Sequence, residues 1–291
     1  MTLKKRLLAV AAAGVALALP LSASAHRAWM VPSATVLSGD GAWVGVDAAI
    51  SNELFYADHN AMRVEGVTVY APDGSVEKIQ NAATGKYRST FDVQLSKPGT
   101  YKIATATSSV MASWTENGEV KRFRGSADDF AKQAPAGAAD LKTIRGFNRN
   151  ETFVTRDAPT DTVFKPTGKG LELVPVTHPN DLVAGEAATF KFLLDGKPAA
   201  DLEVTLAPGG SRYRAAPGDF KVKTGPDGVF KVTFPEAGMY WLNASVRTGE
   251  TGRGPGGPGG APGGAPGGPA QPLAGNGFNA SYTATLEALR P

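Results

Sequence analysis

Turn-forming clusters recur along this chain at short intervals, and they constrain the fold more than any other feature. Ser38-Gly39-Asp40-Gly41, Pro72-Asp73-Gly74 and Lys97-Pro98-Gly99 punctuate the first third. Asp195-Gly196-Lys197-Pro198, Gly225-Pro226-Asp227-Gly228 and Pro235-Glu236-Ala237-Gly238 punctuate the last. Between them stand β-rich runs of about 6 residues, at roughly 10-residue spacing, too short for helices that bury a face. In "VEGVTVYAPDGSVEKIQ", Val67 and Val69 alternate with Thr68 and Tyr70, the period-two pattern of a half-buried strand. Strands joined by tight turns pair antiparallel, so the pattern predicts an all-β protein of two immunoglobulin-like antiparallel β-sandwiches.

The rhythm divides the 291 residues. Residues 26–118 read as the first sandwich and residues 169–291 as the second. "SKPGTYKIAT" in the first echoes "PEAGMYWLNA" in the second, a weak internal repeat that favours two sandwiches over one barrel. Residues 119–168 break the pattern: "SADDFAKQA" can open a short helix capped by Ser126 or Asp128. The remainder of that stretch reads as an irregular, partly helical connection. Residues 249–277, dominated by Gly and Pro without a Gly-X-Y frame, read as a disordered loop inserted in a surface hairpin.

The N-terminus has Lys4, Lys5 and Arg6, an apolar run from Leu7 to Leu19, then Ala23-Ser24-Ala25. These are the three parts of a secretory signal peptide, residues 1–25, with cleavage expected after Ala25 and a periplasmic product. No later stretch approaches the roughly 20 apolar residues of a membrane span. Removing those three basic residues from the 30 in the chain leaves 27, equal to the 27 acidic ones. The sequence pI near 9.0 therefore belongs largely to the leader and gives no support to a nucleic-acid partner. The chain has no cysteine, which rules out disulfides and thiolate metal sites.

Any transition-metal site must then draw on the three histidines, on carboxylates or on methionines. Cleavage after Ala25 makes His26 the first residue, and its α-amine and ring Nδ1 can chelate one ion. A second imidazole completes a histidine brace, a nitrogen-rich site suited to Cu(II) and acceptable to Ni(II) or Zn(II). His59, in "ELFYADHNAM", is the natural second ligand. Asp58, Met30, Met62 and His178 rank below it, the thioethers as soft ligands for Cu(I). Each has a plain structural reading: an exposed His26 or His59, a His178 held in the turn "THPND", methionines filling core gaps. Enzyme signatures are absent: the sequence has no G-x-S-x-G elbow, H-E-x-x-H pair, P-loop or dinucleotide fingerprint. The aromatics Trp29, Trp43, Tyr56, Trp114, Tyr213, Tyr240 and Trp241 could build a sugar platform, or pack sandwich cores.

The "H-x-x-W-x-x-P" start, the "PGTY" end of the first unit and "LELVPVTHPNDLVAGE" leading into "FLLDGKPAADLEVTL" and "TGPDGVFKVTFPEAGMYWL" resemble a bacterial periplasmic family of unknown function. That family was long labelled the nickel-transport periplasmic component. The resemblance implies a two-module periplasmic β protein, often encoded near metal-uptake or TonB-dependent receptor functions. Its members typically begin H-D-F-W, whereas this chain has His26-Arg27-Ala28-Trp29. The expected function is therefore non-enzymatic binding of one transition-metal ion, such as nickel, cobalt or copper, in uptake or delivery, with an inner-membrane or TonB-dependent uptake component as partner. An interaction module for a protein or glycan is the alternative, and a copper-dependent oxidase using the brace a weaker one.

Overall fold

The computed structural model describes residues 26–133, 137–249 and 273–291. The expected signal peptide and nearly all of the expected Gly/Pro-rich loop lie outside the described residues. In chain order the first strands are β1 (Arg27–Pro32), β2 (Val36–Leu37), β3 (Trp43–Ser51), β4 (Asn60–Ala61), β5 (Thr68–Tyr70), β6 (Val76–Glu77), β7 (Gln80–Thr84), β8 (Ser89–Gln94), β9 (Gly99–Glu116) and β10 (Glu119–Gly125). Helix α1 (Ala127–Gln133) follows, then β11 (Ala139–Arg156), β12 (Leu171–Pro175), β13 (Ala187–Leu194), β14 (Lys197–Pro198) and β15 (Glu203–Pro208). The last are β16 (Phe220–Lys223), β17 (Val229–Thr233), β18 (Gly238–Gly249) and β19 (Gly277–Ala288).

The protein is all-β, as the turn rhythm predicts, but the two sandwiches share a sheet. Ten strands form it in the order β16-β15-β18-β19-β11-β9-β5-β6, with β10 added on β9 and β2 on β11. A five-stranded sheet (β1-β3-β8-β7, with β4 on β3) and a four-stranded one (β12-β13-β14, with β17 on β13) complete the sandwiches. Register decides which face each covers, because side chains alternate along a strand. Val154 stands opposite Tyr101, and both pack with Ile103, Met30, Val46 and Phe91 in the first core. Phe153 points the other way and packs with Tyr282, Ala284, Phe190 and Phe192 in the second core. The two cores thus lie on opposite faces of one continuous sheet.

This corrects the expected irregular connection. Within 119–168 lie β10 and the 18-residue β11, which pairs antiparallel with β9 from Gly99 to Ser113 and parallel with β19. The C-terminal half of β11 is buried on both faces, yet it carries Arg149, Asn150, Glu151, Thr152, Thr155 and Arg156. A strand buried on both faces normally reads as an apolar run, and here paired charges replace it, so the hydrophobic signal is missing. Helix α1 does form, with the Ser126 hydroxyl accepting the Asp129 backbone N–H at 3.0 Å.

The internal repeat has a physical basis. In the first unit the Tyr101 hydroxyl accepts the Lys97 N–H at 2.7 Å and donates to the Lys97 carbonyl at 3.1 Å. In the second, the Tyr240 hydroxyl makes the same two bonds to Glu236, at 3.2 and 2.8 Å. This is the tyrosine corner of immunoglobulin-like sandwiches. Both corners need glycine two residues earlier: Gly99 and Gly238 have φ of 126° and 144°. A Cβ on Gly99 would lie 2.6 Å from Pro72 Cβ.

Candidate metal centre

β3 is the middle strand at one end of the five-stranded sheet. Arg27 of β1 stands opposite Ser51, while Asn60 of β4 stands opposite Ile50 on the other flank. Both flanking strands run antiparallel to β3, so both enter at its C-terminal end. His26 and His59 each stand one residue before their strand, at that same end. Two strand spacings separate the flanks by about 9–10 Å, and past the end of β3 the imidazoles reach toward each other. Their ring centroids are 3.8 Å apart with planes inclined by 16°.

The segments bearing the two rings are tied to each other through Trp29 and to the second unit through Arg27. Trp29 donates its indole N–H to Ser51 Oγ at 2.8 Å, and Ser51 Oγ donates to the Glu53 carbonyl. This fixes the end of β3 and the start of the loop to His59. Asp58 accepts the backbone N–H groups of Asn52 and Glu53, at 2.8 and 3.1 Å. Both its carboxylate oxygens serve loop closure. On the other segment, Arg27 pairs with Asp219 and lies over the Trp241 ring at 5.1 Å. Trp241 also donates its indole N–H to the Ala28 carbonyl at 3.0 Å.

The methionines are not at this site. Met30 and Met62 are buried in the first core, and Met62 Sδ faces Asn150 Nδ2 at 3.6 Å. The alternation that turns Trp29 away from Met30 sends the Met30 sulphur into the sandwich, which corrects the soft-ligand expectation. His178 is also elsewhere, with both ring nitrogens occupied. Its Nδ1 accepts the Asn180 N–H at 3.1 Å, so its Nε2 carries the proton and donates to Thr100 Oγ1 at 2.9 Å. Thr155 continues that chain, 3.0 Å from Thr100 and donating to Asn180 Oδ1 at 2.8 Å. Burial holds the His178 pKa below the ordinary imidazole value.

Chemically, the pair offers two imidazoles at the protein surface. Their planes are nearly parallel, so the in-plane lone pairs of the two rings lie in separate planes and do not meet at one point. A shared ion about 2.0–2.1 Å from each nitrogen requires one ring to turn about its Cβ–Cγ bond, a soft torsion. Among the described residues, no group of three or more His, Cys, Asp or Glu side chains is placed to hold a metal ion. A three-nitrogen set at this place therefore needs the α-amine of His26.

A cross-unit contact that sequence reasoning missed lies on the same loop. Arg212 donates to Glu53 at 3.0 Å and sits 4.2 Å from the Tyr56 ring centroid. Tyr213 beside it is 83% exposed. Of the seven aromatics of the proposed sugar platform, Trp29, Tyr240 and Trp241 are buried and serve packing, whereas Trp43 and Tyr213 are exposed. Among the described residues no helix is long and apolar enough to cross a membrane.

Comparison with known proteins gives one family. The family described as "Domain of unknown function (DUF4198)" matches residues 23–248. No curated protein matches the chain. Among solved structures, the D0-D1 domain of intimin is 14% identical, with 89% of this chain and 97% of that one covered at a TM-score of 0.20. A DUF4785 family protein from Legionella pneumophila is 8% identical, covering 74% of this chain and 50% of that one at a TM-score of 0.22. The human OSCAR ligand-binding domain is 12% identical, covering 77% and 92% at 0.18. Likeness this distant carries no inference about binding.

Proposed function

The chain belongs to the DUF4198 family of domains of unknown function, and on that premise we propose that it is an exported protein that binds one transition-metal ion for uptake or delivery. The ligands are the α-amine and ring of His26, set free by cleavage after Ala25, and the ring of His59. The observation that supports this reading is the 3.8 Å approach of two of the chain's three imidazoles. They come from segments 33 residues apart, at a place where processing would add an amine. Three nitrogens favour Cu(II), with Ni(II) next. The ion is cargo, handed to a membrane uptake component, and no turnover is assigned.

Titration of the processed protein with Cu(II) tests the reading. One tight equivalent is expected, lost when a single glycine is added before His26 and lost when His59 is replaced by alanine. Equal binding by the native, extended and His59→Ala forms would refute it. Binding should also weaken as pH falls below about 7.7–8.0, because the metal must displace the amine proton.

A further inference from the structure

The two histidines are carried by separate segments of the first unit, and one stretch of the second unit grips both. We infer that this stretch, Gly209–Asp219, is the positioning strap of the histidine pair, and that its release separates the rings. The inference rests on the metal-site reading for its consequence, though not for its geometry.

At its C-terminal end the strap presents Asp219 to Arg27, the residue next to His26. In its 3-10 turn (Ser211–Tyr213) it presents Arg212 to Glu53 and Tyr56, both on the loop that ends at His59. The strap is anchored to its own unit. Gly209 donates its N–H to the Met239 carbonyl at 2.8 Å. Arg214 donates to the Gly209 carbonyl at 3.1 Å and to Glu236 at 2.7 Å. Movement of this strap therefore acts on the side chains of Arg27 and Glu53 together, and through them on both histidine segments.

A second observation lies on the same loop. Phe55 has φ of 64°, the left-handed region that a bulky side chain rarely adopts. Such a conformation persists where the surroundings over-determine it. The Phe55 ring is wedged edge-on against Trp29, centroids 5.7 Å apart, and against the start of the strap. A Cβ on Gly209 would lie 3.0 Å from Phe55 Cδ2 and 3.2 Å from the Met239 carbonyl oxygen. The glycine lets the strap close on the loop, and the closed strap keeps Phe55 in its unfavourable turn. His59 lies four residues beyond.

Both grips are ion pairs with part-exposed partners: Arg212 and Glu53 are 51% and 45% exposed, Arg27 and Asp219 24% and 29%. Pairs of this kind are weak and salt-sensitive, so a partner that contacts the strap, where Tyr213 projects, could displace it. Ring separation would then convert a tight site into a releasing one.

The test uses the processed full-length protein and its imidazole Cε1–H NMR signals, assigned by replacing each of the three histidines. Asp219→Asn and Arg212→Gln are compared with the wild type, first without metal and then with Cu(II). Both variants should shift the His26 and His59 signals, leave those of His178 in place, and weaken Cu(II) binding by up to about 5-fold, the most that losing one part-exposed ion pair can cost. Reversing the pair as Arg27→Glu with Asp219→Arg should restore both readouts. Unchanged His26 and His59 signals in the two single variants would overturn the strap. Shifted signals in a protein that takes up no Cu(II) would uphold the strap and overturn the metal reading alone.

Discussion

Replacing Glu151 with glutamine should destabilise the protein by about 3–5 kcal/mol, the cost of removing one partner from a buried ion pair. Glu151 is 3% exposed, and it faces Arg149 at 3.3 Å and Lys102 at 4.0 Å, themselves 7% and 8% exposed. Glu172, 5% exposed, is the other anion, 3.3 Å from Arg149. Two cations and two anions balance; the variant leaves two cations against one anion. Glutamine keeps the shape; with its one oxygen accepting the Tyr282 hydroxyl, now 2.7 Å from Glu151, its NH2 group faces Arg149, so both the charge and the acceptor of Arg149 are lost. The adjoining cavity of about 10 Å³ is near the least that one water requires, so solvent can screen little. Urea denaturation followed by tryptophan fluorescence measures the change as a lower midpoint at constant slope. With total stabilities of about 5–15 kcal/mol, the effect would be large. Lys121→Ala, which removes the exposed partner of Glu119, is the control and should cost at most about 1 kcal/mol. A loss of under about 1 kcal/mol in Glu151→Gln would show that these charges are solvated and refute the argument.

Other outcomes follow from the same geometry. Tyr101→Phe and Tyr240→Phe should each cost about 1–3 kcal/mol in urea melts, because each leaves a backbone N–H and carbonyl without its hydroxyl. Similar losses at the two sites would support the repeated corner; a loss at one alone would break the equivalence. His178 is held neutral by burial, its folded pKa below 6.5, so the unfolded chain binds a proton that the native state resists. Its contribution is complete above about pH 6.5 and is lost as pH falls through the folded pKa, giving a stability slope that His178→Ala should flatten; an unchanged slope would contradict the buried neutral ring. Met30→Leu and Met62→Leu should cost less than about 1.5 kcal/mol and leave Cu(II) stoichiometry unchanged, whereas loss of the bound equivalent would return the thioethers to the ligand set.

The sequence announced what its local chemistry controls. Turn clusters bracketed β3, β8, β13 and β18, and the echo of "PGTY" in "AGMY" marked two corners whose hydroxyls make the same bonds four residues back. His26 and His59 stood out because imidazoles are scarce and one follows a cleavage motif. The features it hid depend on long-range pairing. β11 looked like a linker because its buried side chains include Arg149, Glu151 and Arg156, whose compensating partners Lys102, Glu172 and Asp40 are distant in sequence. Met30 looked like a ligand because spacing from His26 says nothing of face, and the alternation of β1 turned it inward. Arg27 looked like a departure from an acidic position, and its role appeared only when Asp219 and Trp241 arrived from the second unit.

The central claim is that His26 and His59 share one metal ion with the processed amine. Pulsed EPR on the Cu(II)-loaded processed protein, labelled with ¹⁵N-histidine, tests it most directly by counting coordinated nitrogens. The account predicts two imidazoles and one amine, the same set in His178→Ala, and no tightly bound Cu(II) signal in His59→Ala. An imidazole signal that survives His59→Ala unchanged, or that vanishes in His178→Ala, would contradict it.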